Sequence, residues 1–196
     1  MAATPLVKLI VAETFNCLAI RDEQFPLDAY YHKHLPTESA IEDLIGKAQI
    51  VFAPGLLDVL QCDDPPTVEY FKALPTLSDS KERTWGVYLI VLEKADFEDL
   101  AYIGSGTQYR GIGLAQRLAD YREDDGHKLP INVEAAIKAG YSIVHKGVLA
   151  QNPTPPAELM LAVRTLLVSI EGTLAALLWT MYTPNGGDWG MGDVCR

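Results

Sequence analysis

Residues 85–92 form a nearly continuous apolar run of strand length, rich in Val, Ile and Tyr. Such a run reads as a buried β-strand. A polar turn over 93–99 and a second short strand over 100–104 complete a predicted antiparallel hairpin. A glycine-rich loop, Gly104 to Gly113, then leads into a helix predicted over 114–122, ended by Glu123-Asp124-Asp125-Gly126. A shorter helix over 132–139 stops at Gly140. A third strand is expected over 141–150, and Pro155 and Pro156 are placed to start a long apolar helix over 157–182. This order predicts an α+β domain over residues 84–182: a small three-stranded antiparallel sheet flanked by helices.

Residues 1–79 read as an N-terminal extension of unknown role. Its first apolar run, 6–12, is expected to be a strand. A helix is predicted over 37–51, with Thr37 as cap and Glu38, Glu42 and Asp43 near its positive end. Pro54-Gly55, Pro65-Pro66 and Pro75 punctuate the rest. His32 and His34 would share a strand face as a surface pair, since no third metal ligand stands nearby. The polar stretch 78–82 is a connector, and 183–196, with its many glycines, is expected to be a flexible tail.

A chain of 196 residues with 48% hydrophobic and 21% charged residues can bury a real core. Its net charge of −10 counts against a generic nucleic-acid binder, which gains affinity by displacing counterions with Lys and Arg. The excess is uneven. Residues 1–83 hold 7 basic and 13 acidic side chains, whereas 84–155 hold 7 and 9. An acidic N-terminal region of this kind suits a basic protein partner. Cys17, Cys62 and Cys195 lie far apart without metal spacing, which fits reduced thiols in an intracellular protein. No secretory signal is read at the N-terminus, and no basic import cluster or Arg-rich presequence points to nucleus or mitochondrion.

Several residues carry chemistry. Either Tyr88 or Tyr102 alone would be ordinary strand packing, but an even register in the hairpin turns both to one face. Gly104 then leaves room for a phosphate beside the backbone. Arg117 and Tyr121 lie at i and i+4 on one helix face. A guanidinium fork suits phosphate oxygens and keeps its charge, although pairing with Asp120, Glu123 or Asp124 is the plainer expectation for Arg117 alone. Glu171 and Arg164 are the only charged groups between Leu159 and Tyr182. A carboxylate in such a helix calls for a partner or a cation. The same 24 residues are long enough to cross a membrane, but two opposite charges and Gly172 argue against a span. The glycine loop lacks the ending of a P-loop. His145 is expected to be structural, and His127 is a candidate phosphate contact. Two phenols, a guanidinium and a carboxylate suit water attack on a phosphodiester, provided the four converge within one phosphate's reach.

Gly86-Val87-Tyr88, Tyr102-Ile103-Gly104-Ser105, Arg117, Tyr121 and Glu171, taken in order, resemble the GIY-YIG nuclease superfamily over residues 84–182. The resemblance implies a metal-dependent endonuclease acting on nucleic acid, DNA above all. Tyr88 would be the general base or the orienter of the attacking water, and Tyr102 would contact the scissile phosphate. Arg117 would stabilise the transition state, and Tyr121 would support the phosphate. Gly104, Ser105 and His127 would border the substrate. Glu171 would hold one Mg²⁺ or Mn²⁺. Where many relatives carry a lysine after the second triplet, this chain has Ser105, Gly106 and Thr107. The alternative is a catalytically inactive relative that docks protein or nucleic acid.

Overall fold

The computed structural model describes residues 4–24, 29–64, 66–77, 83–108, 113–121, 129–178 and 180. The central strand is β2 (Thr84–Glu93), flanked by two antiparallel neighbours, β3 (Leu100–Gly106) and β4 (Ser142–Pro153). The sheet has four strands rather than the expected three. A two-residue strand, β1 (Val51–Phe52), joins the free edge of β4 and gives the order β1-β4-β2-β3. Two residues carry no periodicity for a sequence reading to detect. Their pairing is extended by one bond of 2.8 Å, from Ala53 N–H to the Leu149 carbonyl.

Strand β2 is apolar throughout because both its faces are covered. Trp85, Val87, Leu89 and Val91 join a core with the N-terminal helices and the long C-terminal helix. Tyr88, Ile90 and Leu92 join a second core on the opposite face, against two short helices. Strand β4 accommodates this with two register shifts opposite Val87/Tyr88 and Val91/Leu92. The first lets consecutive Leu149 and Ala150 both enter the larger core.

The segment expected as a strand over 6–12 lies instead within a helix, α1 (Pro5–Gln24). Ile10, Val11, Thr14 and Leu18 are its buried positions, a spacing of one helical face. A seven-residue apolar run does not distinguish the two states, and packing decided this one. Next come α2 (Ala29–His34) and α3 (Glu38–Ala48). His32 and His34 are therefore two apart on a helix and do not share a face. Thr37 caps α3 as expected, its hydroxyl accepting from Ala40 N–H at 3.2 Å. That helix ends at Gln49 in the left-handed region, which frees Val51 for β1. Short helices α4 (Leu56–Leu60) and α5 (Val68–Lys72) follow. These N-terminal residues share one core with β2, β4 and the C-terminal helix, so they build the fold's larger half.

The smaller face carries α6 (Leu114–Ala119) and α7 (Ile131–Lys138). The final described helix is α8 (Met160–Leu177), whose length and mean hydropathy of 1.6 would suffice to cross a membrane. Its Val163, Leu166, Leu167, Ile170 and Leu174 fill the larger core, which accounts for the apolar face. The buried hydroxyls of Thr165, Ser169 and Thr173 each donate to the carbonyl four residues back, at 2.9–3.0 Å. The expected connector over 78–82, the acidic turn at 123–126, His127 and the tail over 183–196 lie outside the described residues.

Candidate functional site

The site begins with the register of the hairpin. Tyr88 stands opposite Gly104, and Tyr102 opposite Ile90, so both phenols share the α6 face of the sheet. A Cβ at Gly104 would fall 2.5 Å from the Tyr88 hydroxyl and 2.9 Å from a Tyr102 ring carbon. The space above this glycine thus belongs to the two phenols. Gly106 plays a similar part for the helix, since a Cβ there would come within 2.8 Å of the Leu114 Cα. That close approach lets α6 lie over β3 and deliver Arg117 and Tyr121 to the phenols.

There the Tyr88 and Tyr121 hydroxyls are hydrogen-bonded at 2.6 Å, with their rings edge to face. Arg117 Nε–H donates to the Tyr88 oxygen at 3.2 Å, and its guanidinium lies 5.1 Å from the Tyr121 ring centre. Arg117 therefore turns toward the phenols, while Asp120 accepts from Gln116 at 3.2 Å. Tyr88 and Tyr121 are 1% and 2% exposed, whereas Tyr102, Ser105, Arg117 and Glu171 are only partly buried. The accessible part of the site is this second group.

Glu171 comes from the other side. Helix α8 packs on the larger core, and Ser105, opposite Val87, points the same way. The Ser105 hydroxyl favours the charged form of the carboxylate, as does the Arg117 guanidinium, while Arg164 is exposed. Strand β3 is the sheet's edge, so only this strand separates Glu171 from the phenols. Its charge is felt at Tyr88 and Tyr102, and Arg117 is felt at Glu171. Sequence reasoning asked for four groups in one place. The structure unites Tyr88, Tyr102, Tyr121 and Arg117 and sets Glu171 across the edge strand from them.

Burial dominates the electrostatics. It raises Glu171 above the usual carboxylate range, against the opposing effects of Ser105 and Arg117. It raises Tyr88 too, although the hydrogen bond from Tyr121 and the Arg117 charge pull the other way. Tyr102 is pushed up to about 12 by burial, with Tyr88 and Glu171 adding to the effect. Tyr121 rises furthest, through burial and then its neighbour Tyr88. Either hydroxyl can donate in the Tyr88–Tyr121 bond. With no lysine after the second triplet, none of the three phenols is a ready base at neutral pH.

Two further residues support the site. Lys146, opposite Ile90 on the same face, donates to the Leu118 and Tyr121 carbonyls at 3.0 and 2.8 Å. It thereby ties the end of α6 to Tyr121 just beyond it, and fits the negative pole of that helix. Nothing in the sequence flags it beyond a lone cation in an apolar strand. His145 is bonded to the Leu74 carbonyl at 3.1 Å, the structural role expected of it. Among the described residues no group of three or more His, Cys, Asp or Glu could hold a metal ion. Comparison with family models, with curated proteins and with solved structures returns no match.

Proposed function

We propose that the protein hydrolyses phosphodiester bonds of nucleic acid, DNA above all, at the outer edge of β3. The observation that supports this most is that Arg117 and Tyr121 both bond to the Tyr88 hydroxyl, while the Glu171 charge acts on that phenol from across the edge strand. A phosphate at that edge would meet the guanidinium from one side and the carboxylate from the other. Arg117 supplies charge where the transition state gains it, and its attachment to Tyr88 removes the need to reorganise. The Tyr121 hydroxyl completes the attachment through its hydrogen bond with Tyr88. Water attacks phosphorus, the bond to the leaving oxygen breaks, and that oxygen takes up a proton.

A single partly buried carboxylate fits Mg²⁺ or Mn²⁺, cations that bind few protein carboxylates and keep several waters. Glu171 would hold the ion, and when bound it supplies Lewis-acid chemistry at a phosphate oxygen. The raised carboxyl supports this fit, because a cation would offset the burial of its charge. The test is nicking of supercoiled plasmid DNA with Mg²⁺, with Mn²⁺ and with chelator. Wild type should cut only with metal, and Arg117→Ala and Glu171→Gln should each lose on the order of a hundredfold in rate. Folded wild-type protein that cuts with neither metal would sink the proposal.

One observation favours a second reading. Tyr88 and Tyr121 are nearly sealed from solvent and burial raises all three phenols, as suits a retired site. In that reading the chain is a catalytically inactive docking module whose acidic N-terminal region meets a basic protein partner. Binding that survives Glu171→Gln unchanged, together with absent cleavage, would decide for it.

A further inference from the structure

Helix α8 buries only part of its circumference in the larger core. Leu161 and Val168, 45% and 38% exposed, lie two turns apart on its outer side, with Arg164 and Gly172 exposed alongside them. A Cβ at Gly172 would meet nothing within 4 Å, so that side is open. Counting about 100° per residue, Leu161, Val168, Gly172 and Ala175 fall on one stripe about 60° wide. Arg164 and Glu171 both lie on the same flank of it, about 40° and 60° from Val168. Arg164 enters none of the ion pairs among the described residues, and Glu171 is partly buried at the margin of the stripe. The stripe thus has a large apolar residue at one end, small residues at the other, and one charge of each sign on one flank. Such a surface is complementary to itself.

We propose that α8 pairs antiparallel with α8 of a second copy of this chain, about a two-fold axis that passes between the two Val168 side chains. Such an axis brings equal flanks together and reverses the order of residues along the helix. Arg164 lies four residues before Val168 and Glu171 three after it. Each Arg164 would therefore stand beside Glu171 of the second copy, about 1.5 Å from it along the axis. Leu161 would meet Ala175 of the second copy at the same height, the large residue against the small one. A parallel pair would instead set Arg164 against Arg164 and Glu171 against Glu171, which like charges oppose. Exposed ion pairs add little affinity, so the apolar stripe supplies the attraction and the charges choose the orientation. Helix α8 has 18 residues and is about 27 Å long. One helix pair of that length buries less than about 1,200 Å², so the dimer is a weak one, with Kd on the order of 10 µM. The pairing does not depend on the phosphodiester reading. A cation held by Glu171 would compete with Arg164 for the same carboxylate.

The experiment is sedimentation velocity of the full chain in chelator, over concentrations from about a tenth of the expected Kd to about thirty times it. The sedimentation coefficient of wild type should rise across this range toward that of a dimer. Val168→Glu sets two carboxylates against each other at the axis and should weaken association at least about tenfold. Arg164→Glu, which faces Glu171 of the second copy, should do the same, whereas Arg164→Lys keeps the charge and should stay near wild type. Both positions are exposed, and a circular dichroism spectrum equal to that of wild type shows that each variant is folded. If one variant fails to fold, the other carries the test. Wild type that stays monomeric at the highest concentration overturns the proposal, as it would if residues 183–196 or another protein covered the stripe. A dimer that neither substitution weakens uses another surface and overturns it equally. A dimer weakened by Val168→Glu and untouched by Arg164→Glu overturns the antiparallel arrangement.

Discussion

Replacing Gly104 with alanine probes the phenol cluster most directly. The new Cβ would lie 2.5 Å from the Tyr88 hydroxyl oxygen, 2.7 Å from the carbon bearing it, and 2.9 Å from a Tyr102 ring carbon. Ordinary carbon contacts lie at about 3.5 Å or beyond, so the rings must retreat by about 1 Å. Tyr88 is 1% exposed in the middle of the central strand, so it cannot retreat into solvent. Overpacking a core costs about 1–3 kcal/mol. Displacing Tyr88 also strains its bonds to Tyr121 and Arg117, each worth about 0.5–1.5 kcal/mol net. The sum, about 2–6 kcal/mol, is a large part of the ~5–15 kcal/mol that stabilises an ordinary domain. A urea titration should therefore show a midpoint lowered by about 1–3 M at an unchanged slope of about 2 kcal/mol/M. In a Tyr88→Phe background the nearest clashing atom is gone and the two hydrogen bonds are already absent. There the same substitution should cost at least about 1 kcal/mol less, a coupling of the size expected for touching residues. A penalty below about 0.5 kcal/mol, the range of neutral surface changes, would refute the packing argument. So would a penalty that is the same in both backgrounds.

Other outcomes follow from the same geometry. Burial raises the Glu171 carboxyl, so the folded state favours its neutral form, and stability is lost as pH rises from the ordinary carboxylate value through the raised one. Glu171→Gln should accordingly be more stable than wild type at pH 7 without metal, and thermal melts should show the advantage fading below about pH 4. Added Mg²⁺ at a hundredfold excess over its Kd should stabilise wild type by about 2.7 kcal/mol and leave the variant unmoved. Gly172 is exposed in mid-helix with nothing within 4 Å of a Cβ, so Gly172→Ala should stabilise by about 1 kcal/mol in urea melts. Lys146→Met strips a charged donor from the Leu118 and Tyr121 carbonyls and should destabilise by about 1.5–3 kcal/mol, with Lys146→Arg losing less by the same titration.

Some of this structure is written in short-range pattern. Residues 85–92 read as a buried strand because the run is almost continuously apolar, and the hairpin that follows needs only one polar turn. An even register was enough to place Tyr88 and Tyr102 on one face, and the structure has that register. Spacing alone set Arg117 and Tyr121 four apart on an expected helix, but α6 ends at Ala119 and Tyr121 stands just past it, its ring still beside the Arg117 guanidinium; composition alone singled out Glu171. Other features have no local signature. Residues 6–12 are equally apolar as strand or helix, and only packing of Ile10, Thr14 and Leu18 against the larger core selected the helix. Strand β1 is two residues long and pairs with Ala150 and Gln151 along the edge of β4 that faces away from β2. That Tyr88 is sealed while Tyr102 is accessible was likewise invisible, because both are strand tyrosines and burial depends on what α6 covers. The alternation of β3 turns Ser105 to the side of the sheet from which Glu171 comes, a direction fixed by the register. Periodicity tells a residue which way to face. What it faces is a long-range fact, fixed only when strands and helices distant in the chain close over it.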